Sequence, residues 1–271
     1  MNIVINWKNL QKRIINWQEV QKVIRKGVQI RPESTPPTPT EDYLCFTTRS
    51  GNAQIRLRSY WNPNPVSLEI SSDKTHWSDY TIWDYISLPN VWDKIYFRNK
   101  SETVVWFSKW WETDLYDFEI IGNNVEASWD VNYLLCKYST TTLQASLHEN
   151  CFSGLFAWCP ITTAPSLPAT TLAYSCYQSM FVYCTSLTTI PALPAGTLLN
   201  YDYAYMFQWC TNIKISETQT WEYQTPYRMP SSWPVYGEGY NSLFRMFYNT
   251  WWTFTWTPIF GTTYYTSNTV I

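Results

Sequence analysis

Cys176-Tyr-Gln-Ser-Met-Phe181-Val-Tyr-Cys184-Thr-Ser-Leu187-Thr-Thr-Ile-Pro191-Ala-Leu-Pro194 is one of three near-copies in this chain of 271 residues. Upstream stands Cys151-Phe-Ser-Gly-Leu-Phe156-Ala-Trp-Cys159-Pro-Ile161-Thr-Thr-Ala-Pro165-Ser-Leu-Pro168. Downstream stands Asp202-Tyr-Ala-Tyr-Met-Phe207-Gln-Trp-Cys210-Thr-Asn-Ile213-Lys-Ile. Phe156, Phe181 and Phe207 are 25 and 26 positions apart, and Cys159, Cys184 and Cys210 keep the same spacing. A period of this length marks units that bury their apolar faces against their neighbours, as in a solenoid.

Within one unit, Cys176, Met180, Phe181 and Cys184 fit one side of a short helix. Leu187-Thr-Thr-Ile190 then reads as a short strand, and Leu193-Pro194-Ala-Gly196 as the return turn. Alternation along the strands points Ile161, Leu187 and Ile213 inward, with the phenylalanines and cysteines of the repeat core. It points Thr162, Thr188 and Lys214 outward, and this column is the candidate ligand-binding face. Residues 217–271 read as a C-terminal cap, in which Leu243-Phe244-Arg-Met246-Phe247 echoes the Met-Phe element without its cysteines.

The pattern Cys-x4-Phe-x2-Cys-x2-Leu-Thr-Thr-x-Pro-x-Leu-Pro resembles the BspA-type leucine-rich repeats of bacterial surface proteins and related phage-encoded proteins. The resemblance is specific over 151–216. It reaches Val66-Ser-Leu-Glu-Ile-Ser-Ser-Asp, Asp93-Lys-Ile-Tyr-Phe-Arg and the ending Thr262-Thr-Tyr-Tyr-Thr-Ser-Asn-Thr-Val-Ile271 less sharply. It implies a right-handed solenoid used for adhesion or surface recognition, without catalysis.

The expected fold class is mainly β with short helices, in five parts. Residues 1–31 repeat every ten positions (Trp7, Trp17, Gly27) and read as β-hairpins. Residues 32–41, with Pro32, Pro36, Pro37 and Pro39, read as a semi-rigid linker. Residues 42–122 read as a β-sandwich-like domain, with strand-forming runs at Tyr43–Phe46, Ala53–Leu57, Val66–Ile70, Ile86–Leu88, Lys94–Phe97 and Tyr116–Ile120. Residues 123–216 hold the leucine-rich repeats, and 217–271 the cap.

Composition narrows the function. A net charge of -2 lacks the basic face that nucleic acid requires. No stretch approaches the ~20 apolar residues of a membrane span. The seven cysteines include no CxxC pair, which argues against structural zinc, and Asp202 replaces the first repeat cysteine. Buried thiols stacked as an apolar ladder fit this better than one disulfide per repeat. His148 stands near Cys151, the start of a nucleophilic pair, but Cys151 already has a packing role. Asp117 and Glu119 alternate on one strand face and read as solvated, and Asp114 nearby completes no calcium loop. No cofactor motif is present.

The expectation is therefore a non-enzymatic, extracellular or cell-surface protein that binds a surface protein or glycan. The alternative is a phage virion component, a tail or head-decoration protein docking through its N-terminal strands, which the absence of a secretory leader at Met1-Asn-Ile-Val-Ile-Asn favours.

One compositional feature is anomalous. The chain has 17 Trp and only 8 Gly. Trp83, Trp92, Trp129, Trp158 and Trp209 sit where a turn wants glycine, as do Trp7 and Trp17 and the run Thr250-Trp-Trp-Thr-Phe-Thr-Trp256. Either exposed indoles form platforms for ligands, or the host reads UGA as glycine and these positions are glycine in the natural product. Trp77 fits a strand-start aromatic and stands apart.

Overall fold

Runs of β-branched and aromatic residues become strands where expected, with ends shifted by no more than three residues. The computed structural model describes residues 43–60, 66–105, 107–108, 115–137, 147–196, 198–231, 242–250 and 257–271. All of these fall in one compact unit, 41–271. The expected hairpin repeats of 1–31 and the linker 32–41 lie outside the described residues.

The strands are β1 (Leu44–Thr48), β2 (Ala53–Tyr60), β3 (Leu68–Ser71), β4 (Ser78–Tyr80), β5 (Ile86–Leu88), β6 (Lys94–Asn99), β7 (Leu115–Ile121) and β8 (Val125–Ser128). They continue as β9 (Ile161–Thr163), β10 (Thr189–Ile190), β11 (Ile215–Ser216), β12 (Thr225–Arg228), β13 (Thr263–Thr266) and β14 (Thr269–Val270). The chain is mainly β. Two sheets face each other in the first half, one ordered β4-β3-β6-β1-β8-β9 and the other β5-β2-β7.

Period-two patterning builds the core between them. Ala53, Ile55 and Leu57 of β2 are buried, as are Tyr116, Phe118 and Ile120 of β7. From the opposite sheet, Phe46 meets Phe118 edge-on at a centroid distance of 4.8 Å, and Phe97 meets it at 5.3 Å. The outward residues of β2 and β7 pair by charge. Arg58 Nη2 lies 2.6 Å from Asp117 Oδ2, and Arg56 Nε lies 2.5 Å from Glu119 Oε2.

This double sheet does not end at residue 122. The strand of the first repeat, β9, pairs in parallel with β8, Val125 facing Ile161. Phe118 N also donates to Leu155 O at 2.8 Å. One apolar core therefore runs unbroken from Leu44 to Tyr264.

The repeats stack in register. The ring of Phe156 lies 5.5 Å from Phe118, Phe181 5.5 Å from Phe156, Phe207 5.6 Å from Phe181, and Phe247 5.5 Å from Phe207. All are nearly parallel. Phe247 is thus the fifth ring of the column, as the echo in the cap suggested. A second column runs through Phe152, Tyr177 and Tyr203 at 5.9 and 5.8 Å.

The expectation of short helices is corrected. The one helical element among the described residues is the 3-10 turn Val131–Leu134, capped by Asp130. The Cys-x4-Phe-x2-Cys segments are instead trains of β-turns, with a left-handed residue every fourth position: Asn150, Gly154 and Trp158, then Ser175, Ser179 and Tyr183, then Tyr201, Tyr205 and Trp209. Alternate amides bond locally and across. Gln178, Met180 and Val182 donate to the carbonyl three residues back, whereas Tyr177, Ser179, Phe181 and Tyr183 donate to Asp202, Ala204, Met206 and Gln208 of the next repeat. Half of the amides in each turn train bond only to a neighbouring layer, so no unit is complete alone. Cys176, Met180, Phe181 and Cys184 are all buried as expected, but on a turn train.

The cysteines complete this bonding. Cys159 Sγ donates to Phe118 O at 3.0 Å, Cys184 Sγ to Phe156 O at 2.9 Å, and Cys210 Sγ to Phe181 O at 2.9 Å. Each thiol satisfies a carbonyl of the preceding layer while packing as a small apolar group. All seven cysteines are buried and free of disulfides.

One side chain ties the last segment to two repeats at once. Asn268 Nδ2 donates to Thr188 O and to Asn212 O, at 2.9 and 3.0 Å, and Asn268 Oδ1 accepts from Lys214 N at 2.7 Å. This places β14 beside β10 and β13 beside β11. Asn268→Ala leaves three backbone groups without these partners and is expected to cost about 3 kcal/mol in urea unfolding. A loss under about 1 kcal/mol would show that the other strand contacts suffice to hold this segment.

Candidate recognition surface

Of the expected outward column, Thr162 lies in β9, whereas Thr188 and Lys214 each stand one residue before their strands, β10 and β11. Ile161, Leu187 and Ile213 are fully buried, so alternation turns their neighbours outward. Thr188 is exposed, and Thr162 and Lys214 are half-buried. Thr162 and Thr188 are brought directly together. Thr188 N and Thr188 Oγ1 both donate to Thr162 O, at 2.8 and 2.9 Å. Thr162 Oγ1 in turn donates to Val125 O at 3.3 Å. The hydroxyls of this column therefore already bridge one layer to the next.

Lys214 does not adjoin Thr188. The buried Asn268 lies between them, bonded to the backbone of both. Lys214 Nζ sits 3.9 Å from Glu222 Oε1, with both side chains about two-fifths exposed, a weak pairing. Sequence reasoning missed Asn268. It lies in a Ser/Thr/Tyr-rich ending, and its partners are backbone groups of remote residues, which leave no trace in sequence.

A second polar face covers β2 and β7. Arg58 binds Asp117 through Nε and Nη2, at 2.9 and 2.6 Å, and Tyr85 OH donates to Glu119 Oε2 at 2.8 Å. The Tyr85 hydroxyl, then the two guanidiniums, hold the Glu119 carboxyl below the usual carboxylate range. Asp117 and Glu119 are thus paired with arginines, a finer arrangement than the solvated face expected. Its charges cancel locally, and it offers no excess of either sign.

The His148–Cys151 pair takes a structural form. Cys151 N and Cys176 Sγ both donate to the backbone carbonyl of His148, each at 3.3 Å. Burial pushes the Cys151 thiol far above its ordinary value, the reverse of what a thiolate nucleophile needs. Burial also lowers the imidazole of His148. Among the described residues no group of three or more metal-ligating side chains gathers, and no helix is long and apolar enough to cross a membrane. Asp114 lies outside the described residues.

Comparison with known families, with curated proteins and with solved structures finds no match.

Proposed function

We propose that this chain is a non-enzymatic recognition or adhesion protein. Its repeats form a short leucine-rich-repeat solenoid of the BspA type, and the strand column of Thr162, Thr188 and Lys214 meets a protein or glycan on a cell surface. The observation that carries this reading is the register of the stack. Rings 5.5 Å apart repeat one position of the turn train layer after layer and give Thr162 and Thr188 a rigid support, with Asn268 between Thr188 and Lys214. A receptor-binding or decoration protein of a phage virion would use the same face. Genes for capsid and tail proteins beside this one would favour that second setting.

The test is a glycan array together with binding to bacterial surface fractions. Thr188→Arg combined with Lys214→Glu is expected to reduce capture at least tenfold while the protein still melts cooperatively, with a midpoint only slightly lowered by loss of the Thr188–Thr162 hydrogen bond. Thr188 points to solvent and the Lys214 head is partly free, so neither change reaches the core. Unchanged capture would remove the column from the contact face.

A further inference from the structure

Tryptophan and glycine share a backbone habit in this chain. Seven tryptophans lie among the described residues: Trp77, Trp83, Trp92, Trp129, Trp158, Trp209 and Trp221. Five of them adopt the left-handed region, with φ of 81° at Trp83, 74° at Trp92, 69° at Trp129, 65° at Trp158 and 63° at Trp209. Gly51, Gly154 and Gly261 have φ of 72°, 67° and 68°. Sixteen described non-glycine residues have positive φ. Asparagine, which tolerates that region, supplies four of them: Asn52, Asn124, Asn150 and Asn249. Tryptophan has no such tolerance, yet it supplies five, more than any other type; tyrosine supplies three, of which Tyr183 holds the repeat position of Trp158 and Trp209.

Burial offers no compensation. The five rings are 45%, 61%, 47%, 67% and 36% exposed, in chain order. Their contacts are of the kind a surface ring finds opportunistically. Arg49 lies 3.7 Å from the Trp92 ring, Arg56 5.4 Å from Trp83, and Lys74 5.5 Å from Trp129. Trp158 and Trp209 flank the ring of Tyr183. The five occupy unrelated places: the β4–β5 and β5–β6 turns, the end of β8, and the last turn of two repeats.

Trp77 behaves differently. It is not among the positive-φ residues. Its Nε1 donates to Lys74 O at 3.0 Å, its ring meets Tyr43 edge-on at 4.8 Å, and Arg98 stacks on it at 3.8 Å. This indole is built into its surroundings.

We infer that the polypeptide made in the source organism carries glycine at positions 83, 92, 129, 158 and 209, encoded by UGA codons that its translation machinery reads as glycine. Trp77 is encoded by UGG and remains tryptophan. The aromatic turn edge formed by Trp158 and Trp209 then disappears as a ligand platform. The strand column is left as the candidate contact face.

Three full-length chains test this: the chain as given, the chain with Trp83→Gly, Trp92→Gly, Trp129→Gly, Trp158→Gly and Trp209→Gly together, and Trp77→Gly alone. Glycine raises the entropy of the unfolded chain, which opposes stabilisation, but relief of five left-handed aromatic residues outweighs it. The five-glycine chain is expected to melt about 5 °C or more above the chain as given, and Trp77→Gly below it. Failure of the chain as given to fold while the five-glycine chain folds also supports the inference. A midpoint unchanged or lowered by the five glycines overturns it. The coding DNA, with peptide masses from the natural protein, supplies an independent reading. UGA with glycine masses at the five positions is expected, and UGG with tryptophan masses there overturns the inference whatever the melting curves show.

Discussion

Phe181→Ala is expected to remove about 3–5 kcal/mol of folding free energy, a large part of the roughly 5–15 kcal/mol that holds a typical domain. Phe181 is fully buried between Phe156 and Phe207, with parallel rings at 5.5 and 5.6 Å. Truncation opens a cavity with aromatic walls on two sides. The walls cannot close, because each ring is fixed by the amide bonds of its own layer to the next. Phe181→Leu keeps most of the buried area and is expected to cost distinctly less. Urea unfolding should show the midpoint falling with the slope unchanged. An alanine variant within about 1 kcal/mol of the parent would mean that the column is not the spine of the fold.

Asp202 gives the second large effect, through pH. It occupies the repeat position filled by Cys151 and Cys176, and it is fully buried. Leu199 N donates to Oδ2, whereas Oδ1 finds no hydrogen-bond partner. Burial pushes its carboxyl up to about 8, against the lowering effect of nearby backbone amides, that of Leu199 foremost. The folded state therefore holds the proton more tightly than the unfolded chain, where the group titrates near 4. Its contribution to stability is fully present below about pH 4. It falls by up to about 1.4 kcal/mol per pH unit as pH rises, and is lost once pH passes 8. Asp202→Asn and Asp202→Cys lack that slope. The difference in unfolding free energy between parent and variant should widen in the variant's favour by several kcal/mol from pH 4 to pH 8. A gap that stays constant across that window would show that Asp202 does not titrate in the buried state.

The parts of this fold that were legible in sequence are those where one side chain answers to one structural demand. The 25- and 26-residue spacing of Phe156, Phe181 and Phe207 gave the stack, because a layered core needs the same large ring in every layer. The run Ala53–Leu57 gave β2 through its strand-forming residues. The turn train was misread as a helix because residues at i, i+4 and i+5 share a face in both. The distinguishing sign was present in the first repeat, where Asn150 and Gly154 stand four apart at left-handed positions, but Ser179, Tyr183 and Tyr205 hide it in the others. β4 escaped notice because Ser78-Asp79-Tyr80 has one apolar residue, too few for a pattern. The joining of β8 to β9 was illegible for a different reason: parallel pairing between strands over thirty residues apart leaves no local signature. In the candidate column, Thr162 and Thr188 were placed together by register alone. The interposed Asn268 depends on the path of the chain end, which periodicity does not encode.

The stacking of successive repeats in register is tested most directly by through-space proton contacts between individually labelled phenylalanine rings in solution. Phe181 should show contacts to both Phe156 and Phe207, and Phe207 to Phe247, with none between Phe156 and Phe207. Absence of the Phe181 contacts, or contacts that skip a layer, would contradict the stack and the recognition surface proposed on it.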